Sequence, residues 1–425
     1  MISEQIFNLF NSAEGGVTTD TRNCGTGMIF FALKGENFDG NKFALQAIEK
    51  GCVAAVSDDP SNAGHSKILI VEDVLTALQE LARDYRRTFD IPVLGLTGSN
   101  GKTTTKELVN AVLSKNFKTH ATAGNFNNHI GVPLTLLSTP EDTDFLIVEM
   151  GANHQREIAL LASIAEPTHG IITNIGRAHL EGFGGIEGVR KGKKELYDYL
   201  KENDGVAFAS AKHPKVVESS EGMERVLFGL DECPPTAWFE SNKQFKWKSD
   251  GFESEYCKTH LEGDYNLENI EAAICIGEYF NVERSDIVKA IEEYVPSNNR
   301  SQVIETERNK VILDAYNANP SSMTKALKSF AENIKEDRLV ILGDMRELGD
   351  YSVDSHKEIV DLCVKLDLEA VLVGEEFMKA KGEGMFYRSV EELLSASESV
   401  LAFNNKTVLL KGSRGMKMER LLPHL

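Results

Sequence analysis

The stretch Ile91-Pro-Val-Leu-Gly-Leu-Thr-Gly-Ser-Asn-Gly-Lys-Thr-Thr-Thr105 constrains the fold of this chain more than any other. An apolar run of strand length ends in Thr97-Gly98-Ser99-Asn100-Gly101-Lys102-Thr103. A segment patterned as a helix follows at once, from Lys106 to about Lys115. Strand, glycine loop and helix in that order build a phosphate cradle. Gly98 and Gly101 let the backbone fold back so that its N–H groups converge, the helix N-terminus adds partial positive charge, and Lys102 adds a full one. Thr103 is spaced to offer a hydroxyl to the magnesium ion that accompanies a nucleoside triphosphate. Leu96 stands where the full motif has its first glycine, so the complete pattern is not met. A chance match in a loop is the alternative; the strand and helix context argues against it.

A chain of 425 residues is too long for one ordinary core, and two to four domains are expected. Alternating strands and helices favour parallel sheets covered on both faces, an α/β class. Three regions separate. The first, residues 1–89, mixes strand-like runs (28–33, 54–56, 68–71) with helical stretches near 42–50 and 75–87. The second, 90–298, carries the phosphate loop and apolar runs at 145–148, 170–173 and 205–208 that read as buried parallel strands. Between Arg225 and Leu261 shorter alternating strands read as an added antiparallel edge, and a helix is expected over about 267–279. After the Pro296–Asn299 turn, the third region, 299–425, repeats the alternation. Its strands are expected at 311–313, 339–342, 370–373 and 408–410, with helices near 321–334, 353–366 and 389–402.

In sheets of this kind ligands sit beyond the carboxyl ends of the strands, and polar residues gather there. Glu149 ends one strand run, where a carboxylate beside a phosphate loop can hold Mg²⁺; a solvated strand-end acid is the bland alternative. His179 follows the exit of the next run, as a ligand or as an ordinary satisfied histidine. Gly188-Val-Arg-Lys-Gly-Lys193-Lys194 opens a helix, as a solvated basic face or as a partner for phosphates. Asn266 and Asn269 are three apart at a helix start, as caps or as readers of a base edge. Asp314 follows the first strand of the third region, where it can accept from ribose hydroxyls. Thr18-Thr-Asp20-Thr21-Arg22 is a turn or part of an anion site.

The formal net charge of −19, from 46 basic and 65 acidic residues, gives no global attraction for nucleic acid or anionic membranes. Anionic substrates must be met by local cations and backbone amides. The six cysteines contain no C-x-x-C pair, and no apolar stretch approaches the roughly 18 residues that span a bilayer. With no secretory pattern at the N-terminus, a cytoplasmic protein is expected.

Taken in order, these segments resemble the Mur ligase family, the ATP-dependent amino-acid ligases of bacterial cell-wall precursor synthesis, over essentially the whole chain. The resemblance rests on Thr19-Asp-Thr-Arg22, Thr97–Thr103, Glu149, His179, Asn266 with Asn269, Asn299-Arg300 and Asp314. Gly124-Asn-Phe-Asn-Asn128, His179-Leu-Glu-Gly-Phe-Gly184, Asp314-Ala-Tyr-Asn-Ala-Asn-Pro320, Gly343-Asp-Met-Arg-Glu-Leu-Gly349 and Lys411-Gly-Ser-Arg414 look most like the members that add D-alanyl-D-alanine.

The resemblance implies three domains: an N-terminal one for a UDP-sugar, a central ATPase domain and a C-terminal Rossmann-like domain. Gly98, Ser99, Asn100, Gly101, Lys102, Thr103 and Thr104 would cradle the ATP phosphates. Asn266 and Asn269 would meet adenine, Asp314 the ribose, and Arg300 the phosphates. Thr103 and Glu149 would hold one Mg²⁺, and Glu149 with His179 a second. Lys193 would join them if carbamoylated, a step helped by the nearby Arg190, Lys191 and Lys194. Lys102, Glu149, His179 and Lys193 are thus the expected catalytic set. Asp20, Thr21 and Arg22 would lie near the UDP-sugar, and Asn125 and Asn128 on the path to the peptide carboxylate.

The implied reaction joins D-Ala-D-Ala to the terminal carboxylate of a UDP-N-acetylmuramoyl tripeptide through an acyl phosphate, in a monomeric enzyme with hinges near 89–92 and 297–301. Its rivals are a ligase adding a single amino acid and a non-catalytic ATP-binding regulator.

Overall fold

The computed structural model describes residues 2–241, 243–297, 299–396 and 403–425. Its centre is a six-stranded, wholly parallel sheet. Across it the order is Glu224–Phe228, Val206–Ser210, His169–Ile172, Val93–Thr97, Phe145–Glu149 and Thr119–Ala121. Val93–Thr97, the first of these strands in sequence, therefore has the next two on one side and the last three on the other. That reversal of strand order is the switch point at which α/β sheets open a crevice, and the glycine loop leaves the strand there.

The strand residues are apolar because both faces are covered. Leu94, Leu96, Ile147, Ile171 and Phe208 pack on one face with Leu108, Val109, Ile270 and Ile274 from the helices Lys102–Leu113 and Leu267–Tyr279. Their neighbours Leu146, Val148, Ile172, Ala207 and Ala209 point the other way, as strand alternation demands, toward Ile158, Leu161, Leu196 and Leu200. Those four belong to the helices Glu157–Ala165 and Ile186–Glu202.

Two further sheets flank this one. A four-stranded parallel sheet, in the order Val17–Thr18, Ile29–Phe31, Ala54–Ser57 and Ile68–Ile70, occupies the N-terminal part. A six-stranded sheet fills the C-terminal part. Its edge strand Gln302–Glu305 runs antiparallel to Lys310–Asp314, and the other strands are parallel. Asn319 starts the helix Pro320–Asn333 with a capping box, its side chain accepting from Ser322 N while the Ser322 hydroxyl closes on the Asn319 amide.

Two expectations need correction, and a third falls partly outside the described residues. The segment read as an antiparallel edge divides: Glu224–Phe228 is a parallel edge strand, and Thr236–Ser241, Gln244–Ser249, Phe252–Glu253 and Cys257–Lys258 form a separate antiparallel sheet. Phe245 and Trp247 give that sheet an apolar face against the helix Leu267–Tyr279, so it pairs face to face instead of edge to edge. The helix expected over 389–402 is Val390–Ser395; residues 397–402 lie outside those described. The helix after the phosphate loop starts earlier than its apolar pattern suggested, at Lys102. Among the described residues, all six cysteines are free and no helix is long and apolar enough to cross a membrane.

Candidate active site

Gly98 and Gly101 make the glycine loop possible for separate reasons. Gly98 has φ +148°, and a Cβ there would stand 2.0 Å from Thr173 Oγ1. Gly101 has φ +79°, and its Cβ would stand 2.5 Å from Asn269 Oδ1. Only glycine fits a left-handed backbone pressed this closely by its neighbours. The loop is then bolted to the exit of the adjacent strand. Ser99 Oγ donates to Gly176 O at 3.1 Å, Asn100 N to Asn174 Oδ1 at 3.1 Å, and Thr173 Oγ1 to Asn100 O at 2.6 Å.

The expected residues converge on one cleft of about 590 Å³ between the central and C-terminal sheets. Ser99 to Thr104, Asn125, Asn128, Glu149, His179, Asn266, Asn269, Arg300 and Asp314 all line it. Gly98 and the buried Lys193 are not among its lining, and neither are Asp20, Thr21 and Arg22. The last three sit in the loop after Val17–Thr18, where Arg22 clasps Asp20 with contacts of 2.6 and 3.0 Å. Hydrogen bonds from the Arg22 side chain and backbone pull the Asp20 carboxyl down to about 2, and Lys50 donates to Thr21 O at 2.7 Å.

On the central side, Glu149 is buried at the end of its strand and satisfied at both oxygens. Thr103 Oγ1 donates to Oε2 at 2.9 Å, and Asn127 Nδ2 to Oε1 at 2.8 Å. A hydroxyl and a carboxylate so close are hard oxygen donors of the kind that could hold Mg²⁺. Lys102 Nζ donates to Gly98 O at 2.8 Å, folded back over the loop. Burial lowers its pKa; Glu149 opposes the shift and Arg300 adds to it. Two cations that raise each other's energy across a cleft are an electrostatic demand for an anion between them.

Asn266 and Asn269 are not helix caps, since no side-chain cap bond is made at Asn266. They form a buried chain instead: Thr105 Oγ1 donates to Asn269 Oδ1 (3.0 Å), Asn269 Nδ2 to Asn266 Oδ1 (2.8 Å), and Asn266 Nδ2 to Glu262 O (2.6 Å). Asn128 does cap a helix, accepting from Ile130 N and Gly131 N at 3.1 and 2.8 Å. Its neighbour Asn127, which sequence reasoning passed over inside the same motif, makes the contact to Glu149.

The C-terminal side supplies Arg300, whose guanidinium lies 3.8 Å from the Tyr316 ring centroid while its buried Nε has no hydrogen-bond partner. Asp314 Oδ2 is 2.5 Å from Lys411 Nζ. Tyr316, Lys411 and Asn174 also line the cleft and were missed as site residues, the first two within segments that carry the resemblance and Asn174 just past the run 170–173. Asn319 Nδ2 reaches across to Asn100 Oδ1 at 2.7 Å and ties the two halves together.

Lys193 is buried on the helix Ile186–Glu202. Its ammonium has a carbonyl, Ala152 O at 3.3 Å, and the Phe183 ring, 5.2 Å to the centroid. Burial pushes its pKa well below the usual lysine range, and Lys102 pushes it further. The basic neighbours named from the sequence are not the cause: Arg190 is paired with Glu218 and Lys194 with Asp198. A charge pointing into solvent is screened, whereas loss of hydration acts on the buried amine directly. His179 carries its ring at the cleft with Nδ1 on Glu347, so Nε2 is the nitrogen left for a ligand. Among the described residues no cluster of three or more His, Cys, Asp and Glu side chains stands ready for a metal. A second ion at Glu149 and His179 would have one carboxylate and one imidazole, and a carbamate on Lys193 would add an acid.

A parallel sheet with a glycine phosphate loop at its switch point, facing a second α/β sheet across the cleft, defines a nucleotide-binding α/β protein whose site is shared between domains. Three family models match: "Mur ligase family, catalytic domain" over residues 15–86, "Mur ligase middle domain" over 96–277, and "Mur ligase, glutamate ligase domain" over 299–414. The UDP-N-acetylmuramoyl-tripeptide--D-alanyl-D-alanine ligase of Bacillus subtilis is 35% identical, with 96% of this chain and 93% of that one covered. The Escherichia coli protein of that name is 34% identical over 96% and 92%. A crystal structure of MurF from Acinetobacter baumannii superposes with TM-score 0.88 at 30% identity, covering 98% and 97%. MurF ligase from Thermotoga maritima in complex with ADP gives 0.87 at 25% identity, with the same coverage. The chain belongs to the Mur ligase family.

Proposed function

We propose that this protein joins D-alanyl-D-alanine to the terminal carboxylate of a UDP-N-acetylmuramoyl tripeptide, converting ATP to ADP and phosphate, in peptidoglycan precursor synthesis. The observation that carries this reading is the cleft of about 590 Å³ that Lys102, at the phosphate loop of the central sheet, and Arg300, beside the C-terminal sheet, both line. Near full-length similarity to ligases of that name supplies the substrates.

The chemistry is a phosphoryl transfer followed by an acyl transfer. The peptide carboxylate attacks the γ-phosphorus of ATP and ADP leaves. The amine of the dipeptide then adds to the acyl phosphate, and the tetrahedral intermediate expels phosphate to leave the amide. Two anions must meet in the first step, so cations held in place beforehand give the catalysis. Lys102, the loop amides from Gly98 to Thr104, and Arg300 hold the phosphates; Asn266 and Asn269 flank the base; Asp314 takes the ribose. Thr103 and Glu149 would hold one Mg²⁺, and Glu149, His179 and a carbamoylated Lys193 a second. Bound there, Mg²⁺ supplies charge neutralisation of the phosphate oxygens. Lys193 is suited to carbamoylation because CO₂ reacts with a neutral amine, the form its surroundings favour. Asn125 and Asn128 lie on the approach of the carboxylate, and Asp20, Thr21 and Arg22 with the UDP-sugar. Water would hydrolyse the acyl phosphate, so the domains (1–89, 90–298 and 299–425) close around it. A cytoplasmic monomer completes the reading.

The test is the product. Mass spectrometry after incubation with ATP, Mg²⁺, UDP-N-acetylmuramoyl tripeptide and D-Ala-D-Ala should show the tripeptide heavier by the dipeptide less one water. A product formed only with a single amino acid would replace the acceptor and keep the family.

A further inference from the structure

We infer that Glu347 is a positioning residue for His179: a carboxylate from the C-terminal domain that fixes the ring's tautomer and direction, so that the histidine is set for a metal only when that domain is docked. This inference rests on the proposed role of His179 as a ligand of the second ion.

His179 and Glu347 are 168 residues apart in sequence and on different sheets' loops, yet Glu347 Oε2 meets His179 Nδ1. An ionised carboxylate only accepts, so Nδ1 must carry the proton, and in the neutral ring that tautomer leaves the lone pair on Nε2. Imidazole that ligates a metal through one nitrogen is commonly held by a carboxylate at the other, which fixes its orientation and raises its basicity.

The backbone is arranged around this contact. Both residues adopt positive φ, +52° at His179 and +63° at Glu347. That conformation is uncommon for a side chain other than glycine and turns both loops toward each other. Immediately beside it, Glu181 N donates to Glu347 O at 3.3 Å, and Leu348 is buried. The loop Gly343–Gly349 is therefore a docked element, and its one carboxylate at the His179 ring arrives with it. A second tie, Arg177 to Glu358 at 2.6 Å and to Ser355 at 3.0 Å, fastens the next helix of the C-terminal domain to the same strand exit.

The test uses the full chain and Mn²⁺ as the probe, titrated by electron paramagnetic resonance in the presence of a non-hydrolysable ATP analogue. Glu347→Ala should weaken the weaker Mn²⁺ site and lower kcat, each by roughly 10- to 100-fold, with KM for the peptide substrate within about twofold. Glu347→Gln, which keeps a carbonyl acceptor for Nδ1–H, should restore most of both. Glu347 is half exposed, and a thermal melt should show both variants folded. Mn²⁺ binding and kcat unchanged in Glu347→Ala, while His179→Ala loses both, would overturn the inference and leave the proposed reaction intact. Loss of Mn²⁺ affinity in Glu347→Ala, in a protein that shows no dipeptide-dependent turnover, would support the inference and sink the reaction. Mn²⁺ binding indifferent to His179→Ala would remove the ligand and, with it, the positioning role.

Discussion

The two walls of the cleft are built differently. The central wall is internally bonded: Thr103 and Asn127 hold Glu149, Thr173 and Asn174 hold the phosphate loop, and Thr105 holds Asn269. These bonds all lie within the central part of the chain. The C-terminal wall offers Arg300, its Nε unpartnered, beside side chains bonded within that wall, Asp314 to Lys411 and Asn319 to Ser322. They are aimed by a handful of cross-domain bonds, among them Asn319 to Asn100 and Lys325 to Glu268. One wall is a preformed receptor and the other a clamp. Damage to the first should cost binding, and damage to the second should cost turnover.

The largest expected effect is on the central wall. Lys102→Ala should reduce kcat/KM for ATP by roughly 10²- to 10³-fold, the usual cost of one preorganised charge; initial rates measure it. Arg300→Ala should lower kcat by about 10- to 100-fold while ADP affinity, followed by calorimetry, stays within about threefold. Equal losses in both would break the distinction between receptor and clamp. Gly101→Ala places a Cβ 2.5 Å from Asn269 Oδ1 at φ +79° and should cost about 1–3 kcal/mol of stability in a denaturant melt.

The smallest effect concerns Glu268, bound across the cleft to Lys325 at 3.0 Å and, on its own side, to His213 at 3.2 Å. Burial pushes its carboxyl up, but His213 and Lys325 outweigh that and bring it to about 2, below the ordinary 4.5. A depressed acid contributes stability that is complete above the unfolded pKa and is lost as pH falls toward the folded one. Melting temperature should therefore fall between about pH 4.5 and 2, and more steeply in the parent than in Glu268→Gln.

The same contrast explains what could be read from the sequence. The central wall is local: strand, glycines, lysine and threonine are contiguous, and their geometry follows from backbone chemistry. Buried strands such as Leu339–Leu342 announce themselves by unbroken apolar runs for the same reason. The clamp is not local. Nothing in spacing brings Glu347 to His179 or Asn319 to Asn100, because those pairs exist only through the packing of two domains. Asn128 and Asn127 show the finer limit: both were within view as adjacent amides, and only the fold decides that one caps a helix while the other holds Glu149. The cause of the Lys193 shift was hidden likewise, since burial is a property of the packed helix and not of its neighbours in sequence.

The most direct measurement is ADP release from ATP, Mg²⁺ and UDP-N-acetylmuramoyl tripeptide, with and without D-Ala-D-Ala. Release that requires the dipeptide and vanishes in Lys102→Ala is the predicted result. A folded, ATP-binding protein that releases no ADP with the dipeptide or any other amine would contradict the account.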